Sequence, residues 1–336
     1  MDYLDFHADT LTELVRGDLY RNSGNVDLQR AEEAFSSYAQ VFALWRDVRG
    51  GSGSDAEFKA LYDRAILLLK QQDSRLRLCR SAPEMERALA EGKSAAFLSV
   101  EDLEAAGRYA GCLREMDVSF VMLTWNYANS YGTGAVADQR AGLTPRGREA
   151  VRALDRQGIV LDVSHLSDAG FWDLCELTDR PVIASHSNCR RICGQARNLT
   201  DEQIREIIRR GGIIGLNFFP PFLEADGAAT LESAERHLEH LLELGGEACA
   251  AMGCDFDGCD GALPREIRGI QDVPRLAEHL AARNYPESLL RRIFSENGKA
   301  FIRRAFPESG THGPQTKSSS PAAEDRPAPS AGPFRT

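Results

Sequence analysis

Short runs of apolar and β-branched residues recur along the chain, and amphipathic stretches lie between them. Eight such runs fall at 3–9, 38–44, 95–101, 119–125, 160–165, 182–186, 213–219 and 248–255. The intervening segments, such as 56–72, 144–157, 201–210 and 231–244, return their apolar residues at steps of three and four, the period of a helix with one buried face. Strands alternating with helices predict parallel pairing through crossover helices, and eight strands predict a closed (β/α)8 barrel of the TIM type, an α/β fold. Thr144 before Pro145 marks one helix start, as N-cap and first helical residue.

The stretch 46–80 holds a Gly-rich piece, RGGSGSD at 49–55, and then one helix, so a lid beside the barrel mouth is expected there. From 308 onward Ser, Pro, Ala, Gly and Thr dominate, and too few apolar residues remain to offset the entropy of ordering. The expected organisation is a barrel over 1–308 and a disordered tail over 309–336, without internal repeats.

Composition narrows the partners. At 336 residues and 43% hydrophobic content the chain has material for such a barrel, which commonly takes about 250 residues. A formal net charge of -10 leaves no basic surplus to neutralise phosphates, which argues against nucleic acid or an anionic membrane and for small-molecule substrates. The opening MDYLDFHADT has no secretory signal pattern, no run reaches transmembrane length, and a cytosolic chain is expected. Eight cysteines without a paired CxxC are then expected to be buried free thiols.

In a parallel barrel the working residues sit at the carboxyl ends of strands. His7 and Asp9 close the first run, Glu101 the third, His165 the fifth, His186 the sixth and Asp255 the eighth. An HxD pair at strand spacing sends both side chains to one face, so His7 and Asp9 can grip one ion. Two more histidines and an isolated Glu supply nitrogen and oxygen ligands suited to Zn²⁺, and a carboxylate between two ligand sets can bridge ions roughly 3.5–4 Å apart. A single histidine at a strand end is usually a satisfied or surface residue. Five metal-competent residues at one end of four strands are hard to assign to packing, because buried charge is costly unless paired or metal-bound. His237 and His240 share a helix face without a third ligand, His279 and His312 lie in helix and tail, and all four are expected to be structural or solvated.

Together the motifs resemble the membrane dipeptidase family, the renal dipeptidase-like peptidases of the metal-dependent hydrolase superfamily. The resemblance spans about 3–305 and rests on DFHADT at 5–10, SVED at 99–102, GLTPRGREAV at 142–151, DVSH at 162–165, PVIASHSN at 181–188, RN at 197–198 and GCDFDG at 253–258. It implies two Zn²⁺ ions, the first on His7 and Asp9, the second on His165 and His186, with Glu101 bridging. It also implies that Asp255 carries the proton of a metal-bridging hydroxide and that Arg197 pairs with the substrate's terminal carboxylate. Trp125 and Asn126 are expected to contact the substrate. The implied activity is hydrolysis of dipeptides, including those with a carboxyl-terminal D-residue, by a homodimer.

Two positions depart from the family. Trp125 stands where many members carry a histidine thought to steady the carbonyl, and an indole donates one hydrogen bond but carries no charge. Asp102 stands where Gly usually follows the bridging Glu. Two alternatives keep the barrel: a binuclear hydrolase of another amide or a lactam, and an inactive barrel that only binds.

Overall fold

Nine parallel strands form the sheet of the computed structural model, which describes residues 1–14, 17–49 and 55–307. They are β1 (Asp2–Ala8), β2 (Ser37–Trp45), β3 (Leu76–Leu78), β4 (Ser94–Glu101), β5 (Val118–Met122), β6 (Val160–Asp162), β7 (Ile183–Ala184), β8 (Ile213–Leu216) and β9 (Ala250–Met252). Pairing runs from β1 to β2, from β2 to β4, onward in chain order to β9, and from β9 back to β1, so eight strands close into the expected (β/α)8 barrel. The ninth, β3, lies outside the expected runs. Because β2 takes one edge of β4, β3 shares the other edge with β5, pairing below it at Ser94, Ala95 and Ala96. Three residues are too few to show a period.

Helices follow the amphipathic segments, at Asp55–Lys70, Pro145–Arg156, Asp201–Arg209 and Leu231–Glu243. Thr144 caps its helix as expected, accepting a hydrogen bond from the Gly147 amide at 3.0 Å. All eight cysteines are free, seven of them buried and Cys112 half-buried. Among the described residues no helix is long and apolar enough to cross a membrane. Most of the Gly-rich piece proposed as a lid, residues 50–54, and the tail at 309–336 lie outside the described residues.

Side chains alternate across a strand, and packing separates the two faces. Leu4, Phe6, Val41, Phe97 and Phe120 fill the lower barrel, where Phe301 and Phe306 of the last helix (Asn297–Ala305) and its C-cap plug the opening. Phe120 meets Phe306 edge-on at 5.5 Å. Outward residues such as Tyr3, Ala8, Phe42 and Leu98 pack beneath the helices.

Two irregularities shape the mouth. Along β1, Phe6 points in and Ala8 points out, so His7 can also face inward only because the register against β2 shifts between Asp5 and Ala8. The Asp5 carboxylate accepts the His7 amide at 2.9 Å and so satisfies the backbone at the irregularity. On the far side, the chain after β7 leans into the barrel. A Cβ at Gly215 or Gly253 would lie 1.9 or 1.6 Å from the Ser185 carbonyl oxygen, so both inner positions must lack a side chain.

Candidate metal centre

At the mouth the inner face turns from apolar to polar. His7 lies within β1 and Glu101 ends β4, whereas His165, His186 and Asp255 lie just beyond β6, β7 and β9 rather than on them. The ladders end earlier than the apolar runs suggested, because the backbone there turns to deliver side chains instead of continuing to pair.

The five expected ligands converge. Glu101 reaches His7 Nε2 at 3.1 Å with Oε2 and His165 Nε2 at 2.8 Å with Oε1, so one carboxylate spans two histidines. Asp9 Oδ2 lies 3.3 Å from His7 Nε2, and His165 Nε2 lies 2.8 Å from His186 Nε2. His7, Asp9 and Glu101 form one group able to hold a cation, and Glu101, His165 and His186 form another; His7, His186 and Asp255 make a third combination within the same cluster. These are two clusters sharing Glu101, matching a two-metal scheme.

The donor set fits divalent cations on its own chemistry. Asp9 Oδ1 and Glu101 Oε2 are buried and accept no hydrogen bond. Burial holds His165 and His186 well below the ordinary histidine range, with Arg197 and His7 adding to the effect, so both rings are neutral. Asn126 Oδ1 takes the Nδ1 proton of His165 at 3.0 Å, which leaves the Nε2 lone pair facing the Nε2 atom of His186. Two such lone pairs at this separation call for a shared electrophile.

A hydrogen-bonded chain sets the His186 tautomer. The Ser164 hydroxyl donates to the Asp162 carboxylate at 2.8 Å, so it accepts from the Ser185 hydroxyl at 3.3 Å, and Ser185 Oγ in turn accepts Nδ1–H of His186 at 2.7 Å. That leaves Nε2 unprotonated toward the cluster. Ser185→Ala is expected to weaken zinc binding about 10–100-fold while the fold persists, measured by competition with a chromophoric chelator. Unchanged affinity would remove this support role.

The metal-free cluster holds protons. Burial opposes an imidazolium at His7, but Glu101 and Asp9 outweigh it and lift the ring well above the usual histidine range. Glu101 is also raised, first by burial and then by the Asp9 charge. A cation must displace these protons, so affinity falls as pH falls. Zinc titrations of metal-free protein should therefore weaken from about pH 8 to about pH 6, with proton release on binding; a flat profile would contradict the assignment of His7.

Asp255 keeps a positive φ of 60° at the rim. Its Oδ2 accepts from Asn217 Nδ2 at 3.0 Å, and its Oδ1 lies 3.7 Å from His7 Nε2. Burial raises its pKa, with His7 opposing and Asp9 adding. Asn217 is not among the residues the sequence singled out, and Gly258 entered only as the last residue of the GCDFDG motif, without a role. Asn217 occupies an inner-facing position of the apolar run IIGLNFF, and that was the available signal. Gly258 is bare because a Cβ would meet Asp9 Oδ2 at 2.3 Å and Asp255 Oδ1 at 2.5 Å.

Arg197 lies on the loop after β7, buried, with Nη2 3.2 Å from His165 Nε2 and Nη1 donating to Ser187 Oγ at 3.4 Å. Its Nε has no partner, and among the described residues no carboxylate forms a salt bridge with it. Burial lowers its pKa to about 10, with Asp255 and Glu101 opposing, so it stays charged at neutral pH.

The departures find their places. The Trp125 ring stands 6.2 Å from that of His165, while Asn126 sits behind His165. Asp102 turns away from the cluster at φ 76° and accepts from the amides of Glu104 at 2.9 Å and Trp125 at 3.2 Å and from Asn129 Nδ2 at 2.7 Å, tying β4 to the loop after β5. Its charge is spent on that loop. The remaining histidines lie elsewhere: His237 accepts the Cys189 amide and donates to the Leu223 carbonyl, each at 3.0 Å, His240 and His279 pair with Asp201 and Glu235 at 2.8 Å, and His312 is outside the described residues.

Comparison with known proteins agrees with this geometry. The model of the membrane dipeptidase family, peptidase family M19, matches residues 1–307. An uncharacterized protein in the pqqA 5′ region of Klebsiella pneumoniae is 35% identical over 246 residues, covering 68% of this chain and 89% of its own. The metallopeptidase dipeptidase AC superposes with a TM-score of 0.83 at 28% identity, covering 92% of this chain and 99% of that one. A Rhodobacter sphaeroides metallopeptidase, solved with a phosphinate mimic of the dipeptide L-Ala-D-Ala, superposes with a TM-score of 0.81 at 27% identity, covering 91% and 99%. With the barrel, the paired ligand clusters and a family match over nearly the whole described chain, the protein belongs to the membrane dipeptidase family, M19, and is a metal-dependent hydrolase of the dipeptidase type.

Proposed function

We propose that the chain hydrolyses dipeptides to amino acids, holding one zinc ion on His7 and Asp9, a second on His165 and His186, and both on Glu101. The observation that carries this reading is the position of Arg197, a buried guanidinium beside the two clusters that forms no salt bridge with a carboxylate among the described residues. Its planar fork suits the terminal carboxylate of a short substrate, and a dipeptide is short enough to place its one amide over the cluster at the same time. When bound, the two cations generate a nucleophile from water near neutral pH and polarise the carbonyl.

The chain's own groups do the rest. Asp255, steadied by Asn217, faces the cluster and passes a proton to the leaving amine. Arg197 anchors the carboxylate end, and Trp125 lines the substrate's approach. Asn126 acts through His165, whose tautomer it sets. The eight free cysteines support a reducing, cytosolic setting, and a homodimer is the assembly the family suggests.

The test is a panel of dipeptides, with L- and D-residues at the carboxyl end, given to zinc-loaded protein beside the corresponding carboxyl-terminal amides. The acids should be cleaved, and the amides should lose roughly 100-fold or more in kcat/KM, as should the acids with Arg197→Met. Equal cleavage of acids and amides would point to a broader amidase. No cleavage of any member by protein carrying two zinc ions would leave a binding role.

A further inference from the structure

Trp45 ends β2 in register with Glu101 at the end of β4. Ala39 and Val41 of β2 face the barrel interior, and Trp45 shares their parity, so it faces the mouth beside Glu101. Its ring lies 5.2 Å from that of Trp125, which in turn lies 5.6 Å from Tyr127. These three rings make a continuous wall running from the metal centre outward, and Trp125 and Tyr127 continue into a cleft of about 220 Å³ bordered also by Val48 and Arg46.

The closed ring of strands says which part of a substrate meets this wall. Arg197 comes from the loop after β7, and β2 stands four strands from β7 in a ring of eight, on the opposite side. A dipeptide whose carboxylate rests on Arg197 and whose amide lies over Glu101 therefore extends its amino-terminal residue toward Trp45 and Trp125.

The cleft's charged side chains have partners within the protein, with Arg46 Nη1 alone among the described buried atoms there left without one. Asp102 accepts three hydrogen bonds, Glu104 accepts the Ser130 amide at 2.9 Å, and Arg46 pairs with Glu57 at 3.0 Å. The Arg49 guanidinium pairs with Asp47 and lies over the Tyr127 ring at 5.0 Å. What the wall offers a ligand is aromatic surface, which favours flat rings by stacking and edge contacts.

We propose that Trp45, Trp125 and Tyr127 form the pocket for the side chain of the substrate's amino-terminal residue and select dipeptides that carry an aromatic residue there. The inference rests on the dipeptidase reading above and adds its substrate class.

Two measurements on zinc-loaded wild type, Trp45→Ala and Trp45→Phe test it: kcat/KM for Phe-Ala and Gly-Ala, and Kd for phosphinate mimics of the same two dipeptides. In the wild type Phe-Ala should exceed Gly-Ala roughly 10–100-fold in kcat/KM, with the two phosphinates separated in the same sense. Trp45→Ala should bring both ratios toward one, and Trp45→Phe should keep most of the preference. Because each result is a ratio within one protein sample, partial misfolding cancels. A wild-type ratio near one in both measurements, or a preference that survives in Trp45→Ala, would overturn the pocket. If neither dipeptide is cleaved but the phosphinates still discriminate and lose that discrimination in Trp45→Ala, the pocket stands and hydrolysis falls.

Discussion

Glu101→Gln should lower bound zinc from two ions per chain to one or none and reduce dipeptide hydrolysis by about a thousandfold or more, roughly 4 kcal/mol on the barrier. The expectation follows from position: among the described residues Glu101 is the one carboxylate paired with both His7 and His165. Gln has the same shape but no charge and only one acceptor oxygen, so it cannot serve two cations. The metal-free variant should melt close to the metal-free wild type, because burial and the Asp9 charge push the Glu101 carboxyl up to about 8, so that without metal Gln replaces a largely protonated group, while His7 keeps Asp9 as a partner. Elemental analysis, hydrolysis of an alanyl dipeptide and thermal melts on the same samples separate these effects. Retention of two ions with full activity would mean that the bridging carboxylate has been misassigned.

Gly253→Ala should be nearly as damaging by a different route. The added methyl would lie 1.6 Å from the Ser185 carbonyl oxygen, and a backbone atom held in the barrel cannot swing aside as a side chain tip can. Overpacking of this kind costs about 3 kcal/mol or more, a fall of roughly 5–10 °C in melting temperature for a chain of this size. The displaced Ser185 also carries the support of His186, so zinc affinity should fall even at temperatures where the variant is folded. Gly194→Ala is the control, since a Cβ there meets nothing within 4 Å, and it should melt within about 1 °C of the wild type. Equal melting of the two variants would mean that the chain after β7 does not lean into the barrel as described.

Much of this molecule was legible before any coordinates. The eight runs and their helical spacers announced the barrel because burial on two faces and burial on one face leave different periods. The clusters able to hold cations were legible because His, Asp and Glu closing apolar runs are expensive to bury for any reason but a cation or a pair. β3 was not legible, since three residues carry no period, and it pairs only because β4 leaves an edge open below β5. Nor was the role of Asp102, a departure from the family pattern next to Glu101 in the chain, whose carboxylate is turned onto the loop that carries Trp125. The contact of Asn126 Oδ1 with His165 was not legible either, because it joins two loops far apart in the chain.

What the sequence by itself determined is the inventory: metal-competent residues at strand ends in an order and spacing that name a family, the helices between them, and a charge balance suited to small substrates. What only the tertiary structure decided is convergence. Strict alternation from Phe6 would have sent His7 outward, and a shift of β1 against β2 turned it in. Bare positions at Gly215 and Gly253 let the chain after β7 enter the barrel and present His186, and the closure of eight strands set Trp45 opposite Arg197. Alternation and period are local properties of a chain, so a sequence displays them. Register, close backbone approach and the far wall of a barrel belong to pairs of distant segments, and they exist only once those segments are packed together.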